Sequence, residues 1–235
     1  MKKMFMAVIT LMMTISAYAQ FYIYYSDGSV AKVDSISMVA PNENGHEYVD
    51  LGLSVKWATC NVGATKPEEY GDYFAWGETL PKDYYDWSSY KWCNGTAYTL
   101  TKYNNSSTYG NVDEKTVLES ADDAATTNWG GSWRMPTDAE LTELRENCTW
   151  TWTQINSING YNVTSNKNGN SIFLPAAGYC RDSLLYYAGN SGLYWSSSLY
   201  ADIPYDAYEL NFDSESTERN DWGRDCGRTV RPVCQ

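Results

Sequence analysis

The chain has 235 residues, 17 basic against 29 acidic side chains, and a formal net charge of −12. That acidity argues against nucleic acid, an anionic membrane surface or any polyanion as partner, because each would meet like charge. The length allows one large domain, or a domain with a small N-terminal appendage.

Residues 1–19 read as a secretory signal: Lys2 and Lys3, an apolar run from Met4 to Ile15, then Ala17-Tyr18-Ala19 as a small-x-small site before Gln20. Loss of Lys2 and Lys3 takes the formal charge from −12 to −14. No later apolar run approaches the roughly 20 residues of a membrane span, so no transmembrane segment is expected. The expected product is exported, to the periplasm, the cell surface or the medium.

Residues 20–40 predict a β-hairpin: Phe21 to Tyr25, the turn Ser26-Asp27-Gly28-Ser29, and Val30 to Val39. Pro41-Asn42-Glu43-Asn44-Gly45 reads as a linker, and the main domain as residues 45–235. It opens with short strands around a glycine turn within Tyr48 to Ala58. Tyr70 to Glu78 reads as a strand or extended loop. From Thr79 to Leu118 no period survives, while Tyr84, Tyr85, Trp87, Tyr90 and Trp92 crowd among polar residues, the pattern of a functional insertion.

Two helix signals follow. Ser120 with Asp123 is a capping-box pattern for a short helix that Gly130-Gly131 can end. Thr137 with Glu140 is a second box, and behind it Leu141, Leu144 and Cys148 form one apolar stripe. Beyond the helices, strands are predicted at Thr149 to Thr153, Gly160 to Val163, Ser171 to Leu174, Leu193 to Ser197, Ala207 to Phe212 and Thr229 to Val233. Short strands at close spacing with two helices indicate an α+β domain with a mostly antiparallel sheet.

Six cysteines, at positions 60, 93, 148, 180, 226 and 234, form an even count in an exported chain, which favours disulfides. The preferred pair is Cys180 with Cys226, which would join strands of the C-terminal half, whereas Cys60 and Cys148 are open to being buried thiols. No Cys-x-x-Cys pair exists, so zinc-ribbon and thioredoxin readings have no support.

Several runs together resemble a known family. They are Glu47-Tyr48-Val49-Asp50-Leu51-Gly52-Leu53, Trp57-Ala58-Thr59-Cys60-Asn61-Val62-Gly63-Ala64, Gly71-Asp72-Tyr73-Phe74-Ala75-Trp76-Gly77-Glu78, Trp133-Arg134-Met135-Pro136-Thr137, Leu174-Pro175-Ala176-Ala177-Gly178-Tyr179, Tyr194-Trp195-Ser196-Ser197-Ser198 and Val230-Arg231-Pro232-Val233. In this order they resemble the Fibrobacter succinogenes major paralogous domain family. The resemblance implies a C-type-lectin-like frame, shared with the formylglycine-generating enzyme group, in which two helices flank a twisted antiparallel sheet and the chain ends meet. It implies no catalytic residues. The Glu-Pro-Asn and Gln-Pro-Asp tripeptides of calcium-dependent lectins are missing, and Asn220-Asp221-Trp222 matches their calcium segment only loosely. No cofactor is expected, with calcium left as a possibility.

Catalytic signals are weak. His46 is the one histidine and sits in a linker-like context, where a surface histidine is the better reading. Ser196 to Ser198 lack the tight nucleophile turn, and phosphate-loop and zinc-protease motifs are absent. A binding module has more to show. Tyr200, Asp202, Tyr205, Asp206, Asn220, Asp221 and Trp222 interleave aromatic and acidic groups, the kit of a recognition surface for an extracellular protein or glycan. Tyr84, Tyr85 and Trp87 form a second candidate surface in the long insertion. A structural or surface-assembly role, and a glycan-acting enzyme, are the alternatives. The resemblance further suggests that Tyr200 to Asp225 are variable ligand loops, since C-type-lectin-like folds display the targets of diversity-generating retroelements. Arg134 and Arg231 lie among apolar neighbours and are expected to be structural, each with carboxylate or carbonyl partners.

Overall fold

The computed structural model describes residues 40–235 and, ahead of them, the strands Phe21–Tyr24 (β1) and Val30–Val33 (β2). These two pair antiparallel, from Phe21 opposite Val33 to Tyr24 opposite Val30. The expected signal segment and the continuation of the second strand to Val39 lie outside the described residues. The chain divides into two compact units, residues 1–40 and 41–235.

The second unit is an α+β assembly of short antiparallel strands. It begins with β3 (Asn42–Glu43), β4 (His46–Val49) and β5 (Lys56–Ala58). Two α-helices follow, α1 (Ala124–Trp129) and α2 (Asp138–Asn147). Next come a meander of β6 (Cys148–Ile155), β7 (Ile158–Ser165) and β8 (Ser171–Pro175), and a small hairpin of β9 (Tyr179–Arg181) and β10 (Leu184–Tyr186). A second meander, β11 (Gly192–Leu199), β12 (Asp206–Phe212) and β13 (Thr217–Gly223), carries the candidate site. The last strand, β14 (Val233–Cys234), pairs antiparallel with β5, Val233 opposite Trp57, so the two ends of the unit meet in one sheet.

The helix caps explain the helix positions. Ser120–Asp122 make a 3-10 turn, not the first turn of a helix, and Asp123 is the residue that caps α1 through the Thr126 N–H at 2.9 Å. Its carboxylate also accepts from the Met135 N–H at 2.9 Å, which fixes the chain on the far side of α1. Gly130, at φ 66, closes the helix in a conformation that a side chain would strain. The Thr137–Glu140 box is complete, and Leu141, Leu144 and Cys148 are all buried, pressing the helix against the sheet side that presents Leu210 and Phe212.

The segment from Thr79 to Leu118 contains no regular strand, but it is packed. Tyr85, Tyr90, Leu100 and Tyr103 are buried, and the Tyr90 and Tyr103 hydroxyls donate to the Trp76 carbonyl and to Asp122 Oδ2, both at 2.7 Å. Aromatic rings with a polar tip let an irregular chain bury area while satisfying its neighbours' backbone.

The runs singled out in the sequence meet in space. Trp76 Nε1 donates to the Ser196 carbonyl at 2.8 Å and Trp195 Nε1 to the Phe74 carbonyl at 2.9 Å. Arg134 pairs with Val233 in an antiparallel bridge, and Tyr194 with Thr229 in a parallel one. Arg134 makes a two-pronged contact with Glu140 at 2.6 and 2.7 Å. Arg231, 1 % exposed, donates to Asn61 Oδ1 at 2.8 Å and to the carbonyls of Ala58, Thr59 and Phe173 at 2.8 to 3.0 Å.

The six cysteines stand as free thiols in this structure, Cys180 partly buried and Cys226 buried. Cys180 is bridged to Gly227, with reciprocal backbone hydrogen bonds of 2.8 Å. Cys226 sits in the turn just before that bridge, its N–H donating to the Gly223 carbonyl at 3.2 Å. No helix among the described residues is long and apolar enough to cross a membrane.

Candidate functional site

Across the second meander, Trp195 stands opposite Glu209 and Glu209 opposite Asn220. Alternation along β12 turns Leu210 and Phe212 to the core under α2, and puts Glu209 on the other face with Ala207 and Asn211. That face is covered by the segment bearing Arg228, which is fixed by reciprocal backbone hydrogen bonds with Phe74 at 2.9 and 3.0 Å. The Arg228 guanidinium pairs with the Glu209 carboxylate through Nε and Oε2, and lies over Trp195 at 4.8 Å and Tyr179 at 5.1 Å from the ring centres. Both residues are 1 % exposed. Glu209 Oε1 and Arg228 Nη1 are buried without a hydrogen-bond partner. Burial raises the pKa of Glu209, and the Arg228 charge opposes that rise.

A cavity of about 260 Å³ opens over this pair, lined by Tyr179, Tyr187, Ser191, Leu193, Asn211, Asn220 and Trp222. A second cavity, of about 420 Å³, shares Trp222 as a wall and is lined further by Trp87, Tyr205, Arg181, Asp206, Asp221 and Asp225. Its carboxylates repel one another in partly dry surroundings. Burial, then Asp221 and Asp225, push Asp206 up to about 7. Asp225, 6 % exposed, is raised to about 6, mainly by burial. Burial also raises Asp221, against the pull of Arg219.

The residues singled out from the sequence divide between these cavities and other places. Asn220 and Trp222 line the first, and Trp87, Tyr205, Asp206, Asp221 and Trp222 the second. Trp87 belongs to the long insertion and Tyr205 to the C-terminal segment, so the two candidate surfaces share one wall. Tyr200 packs edge to face on Tyr208 at 5.2 Å, Asp202 is exposed on the turn after β11, and Tyr84 is exposed beside Asp182, all outside both cavities. Tyr85 is not a contact residue. It is 3 % exposed, and its hydroxyl donates to the Tyr73 carbonyl at 2.6 Å.

Two further readings need correction. Within the stretch from Tyr200 to Asp225 the expected strand at Ala207 to Phe212 is present, but Thr217–Gly223 is a second strand paired with it and not a ligand loop. With Ala207, Glu209, Leu210 and Phe212 buried, four of the seven positions of β12 are constrained by packing and cannot vary freely. His46 is not a simple surface histidine either: its ring stacks on Trp129 at 3.7 Å, and burial lowers its pKa.

Sequence reasoning missed Glu209, Arg228, Tyr179 and Tyr187. A glutamate between Tyr208 and Leu210 reads as the solvent side of a strand, and nothing local announces that the Arg228 segment will cover it. The one signal was an arginine close to Tyr, Trp and acidic residues, which is too common to single out. Among the described residues, no group of three or more His, Cys, Asp or Glu side chains is arranged to hold a metal ion. Comparison of the chain with protein-family models, with curated proteins and with solved structures gives no match.

Proposed function

We propose that this chain is an exported, non-catalytic binding module built on a C-type-lectin-like frame of the kind found in the Fibrobacter succinogenes major paralogous domain family. Its ligand is extracellular, a protein or a glycan. The observation that carries this reading is the pair of adjoining cavities on either side of Trp222, where exposed aromatic rings stand beside convergent polar groups. The two helices, the short antiparallel sheets and the pairing of the two ends through β5 and β14 support the frame.

The test is a binding screen of the mature chain, residues 20–235, against glycans and surface proteins, with and without calcium. A ligand whose affinity falls when Trp222 is replaced by alanine supports the reading. Binding to nothing in either condition would overturn it. Asp206 and Asp225, with raised pKa values in one cleft, are also what an acid–base pair requires, so turnover of any glycan that binds is to be measured in the same screen.

A further inference from the structure

The Glu209–Arg228 pair is an unusual cavity floor. Buried ionic groups in folded proteins ordinarily satisfy their remaining lone pairs and protons with neighbours. Here Glu209 Oε1 and Arg228 Nη1 are buried with no such partner, and both residues line the 260 Å³ cavity. The ion pair therefore gives the cavity a polar floor without net charge. Asn211 and Asn220, each with an amide that can donate and accept, line the same space. The walls are aromatic, and two of them, Trp222 and Tyr187, are 45 % and 61 % exposed.

These groups restrict the chemistry of the occupant. An anion would face Glu209, with Asp206 and Asp221 close behind it on a chain of net charge −12. A cation would face Arg228. A purely apolar group would cover the Asn211 and Asn220 amides without offering them a partner, which is costly. The remaining class is neutral, with adjacent hydroxyls that each accept from a guanidinium and donate to a carboxylate, and with a C–H face to lay on an indole. The volume suits a single ring, and the neighbouring 420 Å³ cavity beyond Trp222 leaves room for the chain to continue.

We infer that this cavity binds one ring of a neutral glycan. Its vicinal hydroxyls are held by Glu209 and Arg228 with Asn211 and Asn220, and its C–H face lies on Trp222. The inference rests on the binding-module reading and names its ligand class.

The experiment uses the mature chain and a panel of neutral hexose and N-acetylhexosamine oligosaccharides, the same cores sialylated or sulfated, and surface proteins. Binding is followed by calorimetry on the strongest hit. Neutral glycans are expected to bind, and Trp222→Ala and Asn220→Ala each to weaken that binding at least about tenfold, with an unchanged thermal melt. Glu209→Gln keeps the side-chain shape but removes the acceptor charge, and is expected to weaken binding as well. Because Arg228 then loses its counter-charge, that variant is interpreted only beside its melt, and the exposed Trp222 keeps the test decisive. Neutral-glycan binding at wild-type affinity in both Trp222→Ala and Asn220→Ala would overturn the site while leaving the module reading intact. Binding confined to acidic glycans or to a protein would overturn the ligand class alone, and binding to nothing would remove both readings.

Discussion

Trp87 and Tyr205 meet edge to face, ring centres 6.3 Å apart and planes at 88°. One comes from the irregular segment before the helices and the other from the turn that leads into β12. Tyr205 also packs against Tyr109 at 5.3 Å and Tyr98 at 6.3 Å, so the irregular segment supplies three of the rings around it. The contact joins what the sequence presents as two separate surfaces into one wall of the larger cavity.

Trp87→Ala and Tyr205→Ala should therefore be non-additive. Aromatic pairs contribute about 0.5 to 1.5 kcal/mol beyond their buried area. A double-mutant cycle on stability should return a coupling in that range. Fully additive losses would mean that the two rings act independently.

Arg231→Ala should be among the most damaging single changes, at about 3 to 5 kcal/mol. It removes a fully buried guanidinium and strands the Asn61 amide oxygen and the carbonyls of Ala58, Thr59 and Phe173. Arg134→Ala should cost less, about 1 to 2 kcal/mol, because its side chain is 32 % exposed and water can replace it at Glu140. Urea denaturation of both variants ranks them, and the reverse order would contradict this account.

Asp206 sets a pH dependence of uncommon sign for a carboxylate. In the fold it ionises near 7, and in the unfolded chain near its ordinary value of 3.8. Between those values the folded state holds more protons, so this group's contribution to stability is greatest near pH 4 and declines as the pH rises to 7. Asp206→Asn should stabilise the protein at pH 8 by about 1 kcal/mol, after allowance for solvent screening of a half-buried group, and hardly at all near pH 4. Melts at both pH values check it, and a gain at pH 4 equal to that at pH 8 would show that ionisation is not the cause.

Thr137→Ala should cost about 1 kcal/mol by opening the capping box of α2. Thr137→Ser should restore most of that loss, because the hydroxyl is the operative group. Thermal melts of the two variants separate the cap from the lost methyl, and equal losses would implicate packing.

Local chemistry was enough to read much of this chain. The Thr137–Glu140 box, the Leu141, Leu144, Cys148 stripe and the alternation of Tyr208, Leu210 and Phe212 express helix and strand periods that depend on near neighbours. The α+β class with antiparallel pairing follows from those periods. What the sequence did not disclose depends on long-range covering. β13, with Glu218, Arg219, Asn220 and Asp221 in one polar run, carries no apolar alternation, and is a strand because β12 offers it a complete edge. Cys180 is bridged to Gly227, the neighbour of Cys226, a proximity across 46 residues that spacing does not reveal. Glu209 has the sequence signature of a solvent-facing residue, and it is buried because Phe74 holds the Arg228 segment across its face. Whether a strand's polar side meets water or another segment is decided by tertiary packing, since alternation fixes which residues share a face and leaves open what that face will meet.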